Sequence, residues 1–230
     1  MSRILVCGDI HGDLCNIAMI FNLASRRNCD RIHCVGDFGF FPAFNETYLK
    51  TCSELVRKHS IQLSFTDGNH EDHFHLNSLP ETEERYVYEG VEWFWRGKVF
   101  EDILSIGGAH SIDKNHRTLG LDWFPSELIS MKDFYVCSSK EAKIVFSHDC
   151  PIEVNLVLGN DDPETISNRK MLSSIVNCVK PKLLIHGHYH RFYDTIIQMD
   201  YGVCRMIGLD CNENFKDQCL ILENGNVEIL

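Results

Sequence analysis

The sequence predicts an α/β protein built on two β-sheets, and three observations carry that reading. The first third of the chain alternates short apolar runs with helix-period stretches in the order β-α-β-α-β, which implies a parallel sheet. Between Tyr86 and Ile106, strand-like pieces follow one another too closely for helices to intervene, which points to antiparallel strands of a second sheet. From Phe192 onward the tail again alternates short β-like runs.

Taken in order, residues 3–7 read as a strand that ends in Gly8-Asp9-Ile10-His11-Gly12-Asp13. Residues 14–27 have the helical period, with Asp13 as N-cap. A second strand at 32–35 ends in Gly36-Asp37, and an aromatic loop, 38–44, packs behind it. Asn45 or Thr47 caps a helix running to about Lys58, and a third strand at 61–65 leads into Thr66-Asp67-Gly68-Asn69-His70-Glu71, where Gly68 is expected to turn the chain sharply. After the strand-like pieces at 86–106 comes a Gly-rich loop from Gly107 to Arg117, then a helix capped by Ser126 and ending near Cys137. A strand at 143–146 ends in Ser147-His148-Asp149. A polar loop containing Asp161-Asp162-Pro163 precedes a helix at 167–179, and a strand at 183–185 ends in His186-Gly187-His188-Tyr189-His190.

Composition narrows the function. The chain has 230 residues, 44% hydrophobic and 24% charged, with no linker or repeat dividing it, so residues 1–230 are expected to form one domain. A net charge of −11 argues against sequence-independent binding to long duplex DNA. It leaves room for a phosphorylated small molecule or a nucleotide, because bound metal ions override the global sign locally. No h-region follows Met1-Ser2-Arg3, and no run of about 20 apolar residues occurs, so neither a signal peptide nor a membrane span is expected. The 11 cysteines form no Cys-x-x-Cys pair. Cys7, Cys34, Cys178 and Cys219 lie in apolar runs and read as reduced core residues of a cytoplasmic protein.

The chemistry lies in the loops. Five apolar runs end in clusters of Asp, Asn and His: Asp9/His11, Asp37, Asn69/His70, His148 and His188/His190. Each cluster sits at the C-terminal end of its strand, the edge where open α/β sheets bind ligands. Imidazoles with carboxylates suit a catalytic transition metal rather than a structural Cys site. The donors outnumber the needs of one ion, so two divalent ions sharing a bridging carboxylate are expected, about 3.5–4 Å apart and clamping a bridging hydroxide. Isolated His33 and His59 read as surface or packed residues, and His73 and His75 as solvated or outer-sphere ones.

At these residues the sequence resembles the calcineurin-like metallophosphoesterase family. The family pattern is met by Asp9-Ile10-His11, Gly36-Asp37, Gly68-Asn69-His70-Glu71, His148 and Gly187-His188-Tyr189-His190, in order across the chain. The resemblance implies a four-layer αββα sandwich of two mixed sheets flanked by helices. It implies that Asp9, His11, Asp37 and His190 hold one ion, and that Asp37, Asn69, His148 and His188 hold the other. His70 is implied as the general acid or a transition-state stabiliser, with Glu71 orienting it; the imidazole–carboxylate chemistry suits manganese, the first expectation, or iron, zinc or nickel. In one respect the sequence departs from the pattern. Protein phosphatases of the family continue Gly-Asp into Asp/Asn-Arg-Gly, whereas here Gly36-Asp37-Phe38-Gly39-Phe40 lacks the arginine. Arg117 or His110 is expected to meet the phosphate instead. The expected function is phosphoester hydrolysis, leaning to diesters such as nucleotides or short nucleic acids, since a ring of the loop 38–44 could stack a base, most of that loop being expected to pack in the core. The alternatives are a phosphomonoesterase or protein phosphatase, and a non-catalytic scaffold of the retromer type, against which the intact ligand set argues.

Overall fold

The computed structural model describes residues 2–42, 46–156 and 162–230; Phe44, Asn45 and Asp161 fall outside the described residues. In chain order the elements are β1 (Ile4–Cys7), α1 (Leu14–Arg26), β2 (Arg31–Cys34), α2 (Glu46–His59), β3 (Gln62–Phe65) and α3 (His73–Ser78). Next come β4 (Arg85–Tyr88), β5 (Val91–Trp93), β6 (Val99–Phe100), β7 (Ile103–Ile106), α4 (Met131–Ser138) and β8 (Ile144–Ser147). They are followed by α5 (Pro163–Val179), β9 (Leu183–His186), β10 (Tyr193–Met199), β11 (Gly202–Gly208), α6 (Phe215–Gln218), β12 (Cys219–Glu223) and β13 (Asn226–Ile229).

The strands form a first sheet in the order β13-β12-β1-β2-β3-β5-β4 and a second in the order β10-β11-β9-β8-β7-β6. Three apolar clusters define the layers. Val6, Val35, Phe146, Ile185, Ile207 and Leu220 meet between the two sheets. Ile17, Ile20 and Phe21 of α1 and Leu49 and Cys52 of α2 pack on the outer face of the first sheet. Leu172, Ile175 and Val176 of α5, with Cys137 of α4, pack on the outer face of the second. This is the four-layer αββα sandwich.

Local chemistry explains the helix ends. The Asp13 carboxylate accepts from the N–H groups of Cys15 and Asn16, a cap contributing about 1 kcal/mol. Asp162 caps α5, with Pro163 in its first turn, and Lys180 ends that helix in the left-handed region at φ 59° ahead of Pro181. Ser126 caps no α-helix. It lies in a 3₁₀ turn, Pro125–Glu127, and α4 starts later at Ser130, which forms a reciprocal capping box with Asp133. α2 already includes Glu46, so Thr47 lies in its first turn rather than at its cap. Cys178 is an exposed residue of α5, not a core one.

The middle of the chain divides between the sheets. β5 pairs parallel with β3, and β4 pairs antiparallel with β5, so both extend the first sheet. The connection from β3 to β5 contains α3, which gives it the length a parallel crossover needs. Only β6 and β7 join the second sheet. That sheet is antiparallel only at its margins: β7, β8, β9 and β11 run parallel, flanked by β6 and β10.

Register then delivers the polar loops together. Cys7 lies opposite Cys34, and Cys34 opposite Phe65, so the loops after β1, β2 and β3 leave the first sheet at one level. Ile106 lies opposite Ser147, and Phe146 opposite Ile185, so β8 and β9 end together in the facing sheet.

Candidate metal centre

The loops are laced before any side chain takes part. Ile10 and His11 donate their N–H groups to the Asp37 carbonyl at 3.1 and 2.8 Å. Two glycines let the strands close up. A Cβ on Gly36, at φ +107°, would sit 2.0 Å from His148 Nδ1. A Cβ on Gly68 would sit 2.1 Å from Asp37 Oδ1. Gly68 therefore serves close approach rather than a sharp turn, since its φ is not in the left-handed region.

Asp9 is fully buried. Its Oδ1 accepts from His188 N–H at 3.1 Å, and its Oδ2 lies 3.1 Å from His190 Nε2 and 3.9 Å from His11 Nε2. Asp37 is buried between the two halves of the site. Its Oδ1 accepts from His70 N–H at 3.0 Å, and its Oδ2 lies 3.4 Å from His148 Nε2 and 3.8 Å from His70 Nε2. His148 donates Nδ1–H to the Val35 carbonyl at 3.0 Å, which aims Nε2 at Asn69 Oδ1, 3.1 Å away. Its ring centroid is 4.9 Å from that of His188. Asp9, His11 and His190 thus bring ligand atoms within 4.8 Å of one another, as do His11, Asp37 and His70, and Asp37, His148 and His188. Asp37 belongs to two of these groups.

The donor set fits a pair of divalent ions. His11 Nε2 and His190 Nε2 face each other at 3.2 Å, an arrangement that needs a proton or a cation between them. His11, Asp37, His188 and His190 all adopt left-handed backbone, with φ between 46° and 71°. Such residues cost of order 1–3 kcal/mol each and persist where the surroundings enforce them, chiefly at functional sites. The electrostatics agree. Burial works against a charge on His148, yet the Asp37 carboxylate outweighs it and lifts the imidazole to about 10. Burial likewise opposes ionisation of Asp37, and His148 overrides it, holding the carboxyl well below its usual range. Burial drops His188 to about 4, leaving a neutral ring nitrogen free to ligate.

In the metal-free protein His148 keeps its proton up to about pH 10, and a ligating Nε2 must be bare. Mn²⁺ uptake at pH 7.5 is therefore expected to release a proton, and apparent affinity to rise about tenfold per pH unit below pH 10 for each proton displaced. Calorimetry in buffers of differing ionisation enthalpy reads this directly; uptake without proton release would contradict it.

The remaining expected residues divide. Arg117 donates from Nη2 to His70 Nε2 at 2.9 Å and pairs with Asp113 at 2.8 Å. Together with Phe41, Pro42 and Leu121 it lines a cleft of about 540 Å³ over His70. His110 is buried elsewhere, with Nδ1 2.9 Å from Thr165 Oγ1 and Nε2 3.0 Å from Glu164 Oε2. Glu71 does not orient His70. It accepts from the N–H groups of Gly39 and Gly68 and so ties two loops together. His73 is buried and hydrogen-bonded to the Gly68 carbonyl at 2.8 Å, whereas His75 is exposed. His33 is buried between Ser64 and Thr66. Phe38 and Phe40 pack in the core, Phe38 stacking on Phe65, so only Phe41 of the described aromatic loop borders the cleft.

Sequence reasoning missed the buried brace behind this loop. Arg96 donates from Nε and Nη2 to Asp67 Oδ2 at 2.9 and 2.7 Å, and to the carbonyls of Ser126, Glu127 and Leu128. Trp93 Nε1–H donates to Asp67 Oδ1 at 3.0 Å. Arg96→Ala leaves Asp67 buried without its cation, and the expected cost is about 3–5 kcal/mol. Urea unfolding measures it as a lower midpoint at unchanged slope. Arg96→Lys is expected to recover little of the loss, because an ammonium cannot replace the forked contact.

The sandwich and its strand-end site define a two-sheet α/β protein with a cluster of His and Asp side chains able to hold metal ions. The chain belongs to the calcineurin-like phosphoesterase family, whose model matches residues 2–192. Among solved structures, TT1561 of Thermus thermophilus is similar at 13% identity and a TM-score of 0.56, covering 99% of this chain and 97% of that one. A dimetal phosphatase from Danio rerio is similar at 11% identity and a TM-score of 0.56, covering 96% and 91% respectively. At these identities the likeness is one of fold. No curated protein matches the sequence.

Proposed function

We propose that this chain is a phosphoester hydrolase working with two divalent transition-metal ions, manganese first among them and iron, zinc or nickel as options. The observation that carries this reading is the meeting of Asp9, His11, His148, His188 and His190 around a shared Asp37. Asp9, His11, Asp37 and His190 would hold one ion; Asp37, Asn69, His148 and His188 would hold the other. When bound, such a pair supplies Lewis acidity toward phosphoryl oxygens and lowers the pKa of water. The Danio rerio neighbour, a dimetal phosphatase, supports the two-ion count.

The protein's own groups do the rest. The Arg117 guanidinium, held by Asp113, offers its donors to a phosphoryl oxygen. In doing so it leaves His70 Nε2, which is then free to take up a proton from water and pass it to the leaving oxygen. One arginine matches the single charge of a diester, and the walls Phe41, Pro42 and Leu121 favour an organic leaving group. A nucleotide or short nucleic acid has that chemistry, while the net charge of −11 disfavours long duplexes. The free cysteines support a cytoplasmic site of action.

The test compares bis-p-nitrophenyl phosphate with p-nitrophenyl phosphate across Mn²⁺, Fe²⁺, Zn²⁺ and Ni²⁺. Faster release from the diester is expected. Faster release from the monoester would reverse the preference, and no release under any metal would overturn the enzyme reading in favour of a scaffold.

A further inference from the structure

An asparagine amide has two ends of nearly equal size, so packing alone does not decide which faces a ligand. For Asn69 the choice matters: its oxygen can bind a cation and its NH₂ group repels one. The structure contains a chain of contacts that makes the choice. Asn69 Nδ2 lies 3.0 Å from Ser111 Oγ, and Oδ1 lies 3.1 Å from His148 Nε2. Ser111 in turn gives both of its hydrogens to one carboxylate. Its N–H donates to Glu127 Oε1 and its O–H to Glu127 Oε2, each at 2.7 Å. Ser111 and Glu127 are each 1% exposed, so no water competes for these bonds.

Valence then fixes the direction. Burial raises the Glu127 pKa while the donors from Ser111 and Trp123 lower it; in its ionised form the carboxylate accepts and has no hydrogen to give. The Ser111 hydroxyl hydrogen is therefore committed to Glu127, and only its lone pairs are left for Asn69. Asn69 must present NH₂ to Ser111 and its carbonyl oxygen to the centre. Glu127 is itself anchored, since its backbone carbonyl accepts from Arg96 Nη2 at 3.0 Å.

We propose that Ser111 and Glu127 are positioning residues that set the polarity of the Asn69 amide and so complete one of the two cation sites. The proposal rests on the two-ion reading above. Neither residue touches the reacting atoms; both act through Asn69. In Ser111→Ala the amide loses its acceptor and turns freely. In Glu127→Gln the new amide donates to Ser111 Oγ, the hydroxyl hydrogen is released toward Asn69, and the polarity inverts with little change in volume.

Chelator-stripped full-length protein titrated with Mn²⁺ provides the test. The wild type is expected to bind two ions. Ser111→Ala and Glu127→Gln are each expected to weaken one of them by about 10–100-fold and leave the other unchanged, the size typical of groups that orient a ligand. At limiting Mn²⁺ the electron paramagnetic resonance spectrum should change from a coupled pair to an isolated ion. Ser111→Thr, which keeps the hydroxyl, is expected to restore the pair. Glu127→Gln carries the test by itself if Ser111→Ala fails to fold. Wild-type affinity for both ions in the variants would overturn the proposal. A wild type that takes up no Mn²⁺ would instead overturn the two-ion reading beneath it.

Discussion

Asp37→Asn is expected to strip the protein of its metal and abolish hydrolysis. The substitution keeps the side-chain volume, and Asn tolerates the left-handed φ of 46° that this position imposes. It removes the negative charge common to both halves of the site. Asp37 Oδ2 lies 3.4 Å from His148 Nε2, and the carboxylate shares ligand-forming groups with His11 and with His188. Without it, each ion loses a charged ligand. Two divalent charges would then face Asp9 alone at close range, and their mutual repulsion would go unrelieved. Metal content by plasma emission should fall from two ions per chain toward none, with thermal unfolding of the metal-free protein still cooperative. Two ions retained per chain in Asp37→Asn would show that Asp37 does not bridge.

His70→Ala is expected to cut turnover by about 10²–10⁴-fold while sparing metal content. His70 projects from the loop after β3, its side chain 36% exposed, with its ring 3.8 Å from Asp37 Oδ2. Burial first, and then Arg117, pull its pKa below the ordinary imidazole value, while Asp37 pushes the other way. The lowered pKa leaves the ring mostly neutral near pH 7, so it donates only after taking up a proton, and the donor form gains weight as pH falls. The loss should depend on the leaving group. An alkoxide needs the proton and should suffer fully, whereas p-nitrophenolate leaves unaided and should suffer least. An equal loss for both leaving groups would remove His70 from the role of proton donor.

Much of this was legible in the sequence because the relevant signals are local. Each polar cluster follows an apolar run by two to five residues, so its place at a strand end could be read directly. What was not legible depends on partners distant in the chain. The runs at 85–88 and 91–93 give no hint that β5 pairs with β3 rather than with β7, since sheet membership is decided by long-range pairing. Arg96 stands alone in sequence, and its bond to Asp67 spans 29 residues. Glu127 reaches Ser111 over 16. The start of α4 was available: Ser130 is followed by an acid at the third position, Asp133, and Ser126 is not. Left-handed backbone at His11, Asp37, His188 and His190 leaves no mark in composition, because it is imposed by the loops that meet there.

The strand that carries Asp9 has a late-made neighbour. β1 is flanked by β2 on one side and by β12 on the other, and Gln218, just before β12, binds the Gly8 N–H and the Asp9 carbonyl. During synthesis β1 therefore waits, with one edge bare, until residues 218–223 emerge. The Asp9 side of the proposed ion pair is thus completed only when residues 218–223 arrive, and a ribosome-stalled chain ending before residue 218 should have no stable cation affinity there.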